Sequence, residues 1–97
     1  MSLFSKKKPA SVIMTTGHFE LERDGHLATL KYTVAGNILA LIHSEIPECL
    51  RGTGIASTLA RTALDWAREQ KMKVDVVCPF VAAFLEKYPE YSDLVLH

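Results

Sequence analysis

Between Phe19 and Ser44 the apolar residues fall mostly at every second position, and between Thr53 and Lys71 they fall at every third or fourth. That change of period, across a junction holding Pro47, Gly52 and Gly54, requires strands before the junction and a helix after it. The strand half subdivides itself. Phe19 and Leu21 alternate with Glu20 and Glu22, Asp24-Gly25 follows, and Leu27, Leu30, Tyr32 and Val34 then recur among polar residues. Asp-Gly between two alternating runs is a hairpin signal, because both central positions of a type I′ turn need positive φ. Gly36-Asn37 predicts a second such turn, and Ile38 to Ser44 a third strand. The unbroken run Ile38-Leu39-Ala40-Leu41-Ile42 predicts burial on both faces and a central place beneath helices.

In the helical half, at about 100° per residue, Ile55, Leu59, Ala63 and Trp66 share a side opposite Ser57, Arg61, Asp65 and Arg68. Lys73 to Val77 then reads as a fourth strand, Pro79 suits the first position of a second helix, and Phe80, Val81, Phe84, Leu85 and Tyr88 give that helix its apolar face before Pro89 ends it. A strand–helix–strand connection is a right-handed crossover, so the fourth strand should run parallel to the third. The expectation is an α+β fold: three antiparallel strands, a helix, a parallel fourth strand and a short helix, in one sheet layer covered by helices.

A chain of 97 residues, 48% of them hydrophobic, favours one domain with an ordinary core. Three of the eleven basic residues, Lys6, Lys7 and Lys8, lie in the first nineteen positions with none of the eleven acids, which leaves an acidic body behind a basic start. Residues 1–17 read as a flexible basic tail and 18–97 as the folded domain. Zero net charge argues against general nucleic-acid binding, and no apolar run suits a signal peptide or a membrane span. Cys49 and Cys78 are too few for a disulfide framework, so the expected compartment is cytoplasmic, with a mitochondrial address left open by the basic tail.

The junction carries the clearest chemistry. Gly52 and Gly54 remove side chains where an anion would approach the backbone, the helix start offers free N–H groups and a favourable dipole, and Arg51 adds charged donors. The competing reading is that the glycines only permit a tight turn and that Thr53 caps the helix. The segment lacks the Lys of a P-loop and the third Gly of a dinucleotide fingerprint.

Arg51-Gly52-Thr53-Gly54-Ile55-Ala56 resembles the Arg/Gln-x-x-Gly-x-Gly/Ala signature of the GNAT acetyltransferase superfamily, which binds the pyrophosphate of acetyl-coenzyme A. The resemblance extends over roughly residues 19–91, since the motif there also follows a central strand and opens a long helix. Ile46 falls where the superfamily has an apolar residue whose backbone pairs with the pantetheine arm. His43 to Pro47 together with Val77 to Val81 resemble a compact branch of about a hundred residues that lacks the helices covering the acceptor side. By this resemblance Ile46, Arg51, Gly52, Thr53, Gly54, Ile55 and Ala56 bind acetyl-coenzyme A, and an amine is the acceptor.

The same match places Leu85 where the superfamily carries its proton-donating tyrosine, and Cys78 where it often has an asparagine. A thiol at a helix start meets free N–H groups that make thiolate more available, so Cys78 is a candidate nucleophile or proton donor. Its competing role is that of a small buried hydrophobe. His43 shares strand parity with Leu39, Leu41 and Glu45, which puts it at the strand end near Cys78 as a candidate base, with Glu45 as the alternative. His18, His26 and His97 show no metal-ligand spacing, and Trp66, Phe80 and Phe84 read as core. The expected function is N-acetyl transfer to an amine, by direct attack or through Cys78. The alternative is a noncatalytic module that binds coenzyme A or a protein, and the exposed sheet face gives a motive for pairing as a homodimer.

Overall fold

The computed structural model describes residues 12–96. Five strands form one sheet in chain order: β1 (Ile13–Thr15), β2 (His18–Arg23), β3 (His26–Ala35), β4 (Ile38–Glu45) and β5 (Lys73–Val76). β1 to β4 are antiparallel neighbours, and β5 lies parallel to β4 after the crossover through α1 (Ile55–Glu69). α2 (Pro79–Lys87) and a 3-10 segment, Pro89–Leu94, complete the fold. The strand assigned to Ile13–Thr15 corrects the expected boundary of the tail, because this segment pairs with β2 and Thr15 accepts a 2.6 Å hydrogen bond from the Tyr32 hydroxyl. Residues 1–11 of that tail lie outside the described residues.

Both hairpins form at the expected dipeptides, by different turns. Asp24 and Gly25 both take positive φ, 54° and 79°, as a type I′ turn requires. In the second turn only Gly36 is positive, at 62°, which is the pattern of a II′ turn.

The helices pack on one face of the sheet only. Phe19, Leu21, Ala28, Leu30, Leu39, Leu41 and Val74 point into that layer and meet Ile55, Leu59, Ala63, Leu64, Val81 and Phe84. Full burial of the Val, Leu, Ile and Phe side chains among these contributes about 1.5–3 kcal/mol each. Trp66 sits edge-on to Phe19 with ring centroids 6.3 Å apart. The opposite face carries Glu22, Lys31, His43, Glu45, Lys73 and Asp75, all exposed. This corrects the expectation that β4 is buried twice: Leu39 and Leu41 are buried, while Ile38, Ala40 and Ile42 are only half-buried on a face that no helix covers.

One irregularity governs β4. Tyr32 pairs with Leu41 and Lys31 pairs with His43, so Ile42 is an extra residue, a β-bulge that turns every later side chain to the other face. β5 pairs with β4 only as far as Leu41↔Val76, and the Leu41 carbonyl accepts the N–H groups of both Val77 and Cys78, at 3.0 and 2.9 Å. Beyond that pair of hydrogen bonds β4 and β5 part.

The C-terminal segment is clasped to α1. The buried Tyr91 hydroxyl donates to Asp65 at 2.7 Å, and Arg68 holds Asp93 through two hydrogen bonds at 3.0 and 3.1 Å. Burial, followed by the hydrogen bond to Asp65, pushes the Tyr91 phenol up, while the hydrogen bond from Arg68 holds the Asp93 carboxyl below its usual range. A depressed carboxyl gives stability that is lost as pH falls through its folded value, and a raised phenol gives stability that is lost as pH rises above about 10. Melting temperature followed by circular dichroism should therefore fall at both ends of the pH range. Tyr91→Phe should cost on the order of 1 kcal/mol near neutrality, about 4–8 °C in Tm, and should remove the alkaline loss.

Candidate active site

The parting strands leave a gap that two cavities share. On the helix side, a groove of about 490 Å³ is lined by Ser44, Ile46, Arg51, Gly52, Gly54, Ala56, Ser57 and Phe80, with Leu50 beneath. This lies within the size range of small-molecule sites, about 300–1,000 Å³. A second cleft of about 420 Å³ opens from the uncovered face, lined by Leu27, His43, Ser44, Glu45, Ile46, Pro47 and Arg51. Ser44, Ile46 and Arg51 border both.

The floor of the groove is the start of α1. A single 3-10 turn, Glu48–Leu50, leads from β4 into Arg51 to Gly54, where Gly52 and Gly54 have φ of 79° and 86°. Another residue at either position would be strained by roughly 1–2 kcal/mol, and its side chain would project into open space beside the groove. Thr53 does not cap the helix as the simpler reading supposed. Its hydroxyl donates back to the Leu50 carbonyl, and Gly54 occupies the cap position without a side-chain hydrogen bond. The first intrahelical bond runs from the Thr58 N–H to the Gly54 carbonyl at 3.0 Å, so the N–H groups of Ile55, Ala56 and Ser57 precede any intrahelical acceptor. Uncapped N–H groups and the helix dipole attract an anion at this place. Arg51, exposed, reaches back to the Ile46 carbonyl through Nε at 3.4 Å and spans the mouth of the groove. Ile55 turns its side chain into the core and offers the groove only its backbone.

Along the upper wall, β4 runs on to Glu45 after β5 has ended, so its edge from residue 42 to 45 has no strand partner on the β5 side. An extended ligand carrying amide groups fits such an edge. Phe80, half-buried in the first turn of α2, lines the groove, which corrects its assignment to the core alone. Its partner one turn on, Phe84, is in the core.

The candidate chemical residues are divided by the bulge. Cys78, 1% exposed, is the N-cap of α2 and its thiol donates to the Ser44 hydroxyl across 3.6 Å. Ser44 pairs with buried Leu30 and so faces the helices, whereas His43 pairs with exposed Lys31 and faces away. His43 is therefore not beside Cys78, as unbroken strand parity implied. Its Nε2 lies 3.7 Å from Glu45 Oε2 in the open cleft, with side chains 62% and 76% exposed. Ser44, Ser57 and Phe80 are site-lining residues that the sequence reading missed. Ser57 was findable as a first-turn helix residue, while Ser44 depended on a bulge that no pattern signals.

Leu85, at the position expected for a tyrosine, is half-buried against the core. Tyr88 packs under the Arg61 guanidinium at 4.9 Å and Tyr91 under α1, and neither lines the groove. Among the described residues, no three His, Cys, Asp or Glu side chains gather as metal ligands, and no helix is long and apolar enough to cross a membrane.

Known proteins agree with this architecture. A solution structure of a GCN5-like protein from Staphylococcus aureus superposes with a TM-score of 0.71 at 27% identity, covering 89% of this chain and 87% of that one. Protein NATD1 of Danio rerio is 34% identical over 73 residues, 72% of this chain and 66% of that protein. Protein NATD1 of Bos taurus is 38% identical over 63 residues, 64% and 56% respectively. The chain thus spans between about half and two thirds of the length of these curated relatives. The family model described as GCN5-related N-acetyl-transferase matches residues 18–94, and the chain belongs to that family.

Proposed function

We propose that this chain is an acetyl-coenzyme A-dependent N-acetyltransferase in which the two cavities divide the substrates. The observation that carries the reading is the pair of cavities meeting at Ser44, Ile46 and Arg51, one floored by an uncapped helix start and the other holding His43 and Glu45. Acetyl-coenzyme A occupies the helix-side groove. Arg51 and the N–H groups of Ile55, Ala56 and Ser57 take its pyrophosphate, with Gly52, Thr53 and Gly54 holding the loop open. The free edge of β4, ending at Ile46, pairs with the pantetheine amides.

The acceptor enters through the open cleft. Leu27 and Pro47 supply apolar walls, and the Glu45 carboxylate favours a cation, so a primary amine carried on an aliphatic chain fits it. His43 is the base for the amine, its Nε2 3.7 Å from the Glu45 carboxylate. The amine, one proton already lost to the water of the open cleft, bonds through its nitrogen to the thioester carbon and gives its second proton to His43, the carbon–sulfur bond breaks, and the leaving sulfur takes the Cys78 thiol proton by way of the Ser44 hydroxyl, which lines the groove. Base and acid stand on opposite faces of the sheet, one on each side of the reacting carbon. This favours direct transfer over an acyl-cysteine relay, which would need the acceptor to reach a thiol buried on the face away from His43.

Calorimetry should detect acetyl-coenzyme A binding in the micromolar range, weakened about tenfold or more by Arg51→Ala, as expected for a lost charge-assisted contact. No binding at high micromolar ligand would overturn the proposal. With a panel of aliphatic amines, His43→Ala and Cys78→Ala should each lower kcat by about 10²-fold or more, and intact-mass analysis should find no acetyl adduct on Cys78. An adduct on Cys78 would instead establish the relay. Binding without turnover for every amine would support a noncatalytic module.

A further inference from the structure

We infer that the chain acetylates its own N-terminal segment in cis, on Lys6, Lys7 and Lys8, an inference that rests on the reading of the open cleft as the acceptor site. These three lysines are consecutive, and no acid precedes Glu20. The described residues begin at Val12, which packs against the core and leads into the edge strand β1. The sheet register fixes where that beginning lies. Ile13 pairs with Glu20, Glu20 with Thr29 and Thr29 with Glu45, so the four form one row across the uncovered face. β1 runs away from the end of the sheet that carries Leu27, Glu45 and Pro47, the walls of the cleft. What precedes Val12 therefore enters from the end where the acceptor cleft opens.

Length and charge both allow the transfer. Three interstrand spacings, about 14 Å in all, separate β1 from β4. Lys8, Lys7 and Lys6 stand four, five and six residues before Val12. An extended chain spans up to about 13, 17 and 20 Å over those intervals, and the four-carbon lysine stem adds to each. So short a tether holds an amine near the cleft at an effective concentration on the order of millimolar. Glu20 and Glu22 on β2 and Glu45 in the cleft line the way with carboxylates. Lys31, fixed in the next row beside His43, is not among the residues lining the cleft. The lysine ammonium gives one proton to cleft water, its nitrogen bonds to the thioester carbon and gives a second proton to His43, and the carbon–sulfur bond breaks. The sulfur takes one proton as it leaves, so the products are an amide on the chain, the free thiol of coenzyme A and one proton released to solvent. Acetylation removes the lysine charge, so the modified side chain loses its attraction to Glu45 and yields the cleft.

The full chain incubated with acetyl-coenzyme A and no added amine, then analysed by intact mass and peptide mapping, should carry acetyl groups on Lys6, Lys7 or Lys8 that resist hydroxylamine, as amides do and thioesters do not. The rate per chain should be unchanged over a roughly tenfold dilution of the protein, because the step is unimolecular. It should fall about tenfold or more in His43→Ala, whose side chain is exposed and outside the core. Lys6→Arg, Lys7→Arg and Lys8→Arg together, which keep the charge, should leave no adduct. Equal labelling of wild type and His43→Ala, or acetyl groups spread over Lys31, Lys71, Lys73 and Lys87, would mean plain chemical acetylation and overturn the inference. A rate per chain that falls in proportion to dilution would overturn it too, in favour of transfer between copies. An added aliphatic amine separates the inference from the reading beneath it. Acetyl on that amine and on none of the three lysines overturns self-transfer alone, and acetyl on neither overturns both.

Discussion

The Leu41 carbonyl ends the pairing of β4 with β5 by accepting two N–H groups, from Val77 and Cys78, where a regular ladder would supply one. Everything at the site follows from that fork. Below it the strands pair from Ile38↔Lys73 to Leu41↔Val76 and bury Leu39 and Val74 under α1. Above it β5 gives way to Cys78 and α2, while β4 continues alone with an unpaired edge. Unpaired strand edges are usually avoided because they invite association. Here the edge is set inside a groove, flanked by Phe80 and the start of α1, where a ligand rather than another sheet can meet it.

The bulge beside the fork assigns the chemistry. One extra residue, Ile42, reverses the side-chain order of β4, sending Ser44 toward the helices and His43 and Glu45 toward the open face. A regular strand would have buried His43 among the core side chains, where an imidazole without a partner costs stability, and would have placed Ser44 in water. With the bulge, His43 and Glu45 lie on one side of the sheet, and Ser44 and Cys78 on the other. The open face carries the exposed charges Glu22, Lys31, Lys73 and Asp75 beside half-buried Ile38, Ala40 and Ile42, and no helix covers it.

The strand–turn–strand register, the amphipathic face of α1 and the start of α2 at Pro79 were legible because each rests on local rules: positive φ at Asp24-Gly25, a 3.6-residue apolar stripe, a proline at a first helical turn. The glycine loop before α1 was legible for a related reason, since Gly52 and Gly54 are needed where φ is positive. What failed was any inference carried along a strand by parity. Placing His43 with Leu39 and Leu41 assumed an uninterrupted period of two, and the apolar run Ile38 to Ile42 suggested two covered faces where the fold covers one. The edge strand β1 was also illegible, because three residues, Ile13 to Thr15, are too few to show a period and are held by the Tyr32 hydroxyl of a strand that comes later.

The sequence by itself therefore determined four of the five strands, both α-helices, their order, the parallel crossover and the glycine loop before α1, because turns, helix starts and apolar periods are written in neighbouring residues. Only the tertiary structure decided which side of the sheet each chemical group faces. That depends on Ile42 bulging against Lys31 and Tyr32, and on the Leu41 carbonyl being shared by Val77 and Cys78, contacts between residues distant in the chain. The identities of Cys78, Ser44 and His43 were visible from the start. Their division between the two faces of the sheet arises from hydrogen bonds that exist only once β3, β4 and β5 have come together.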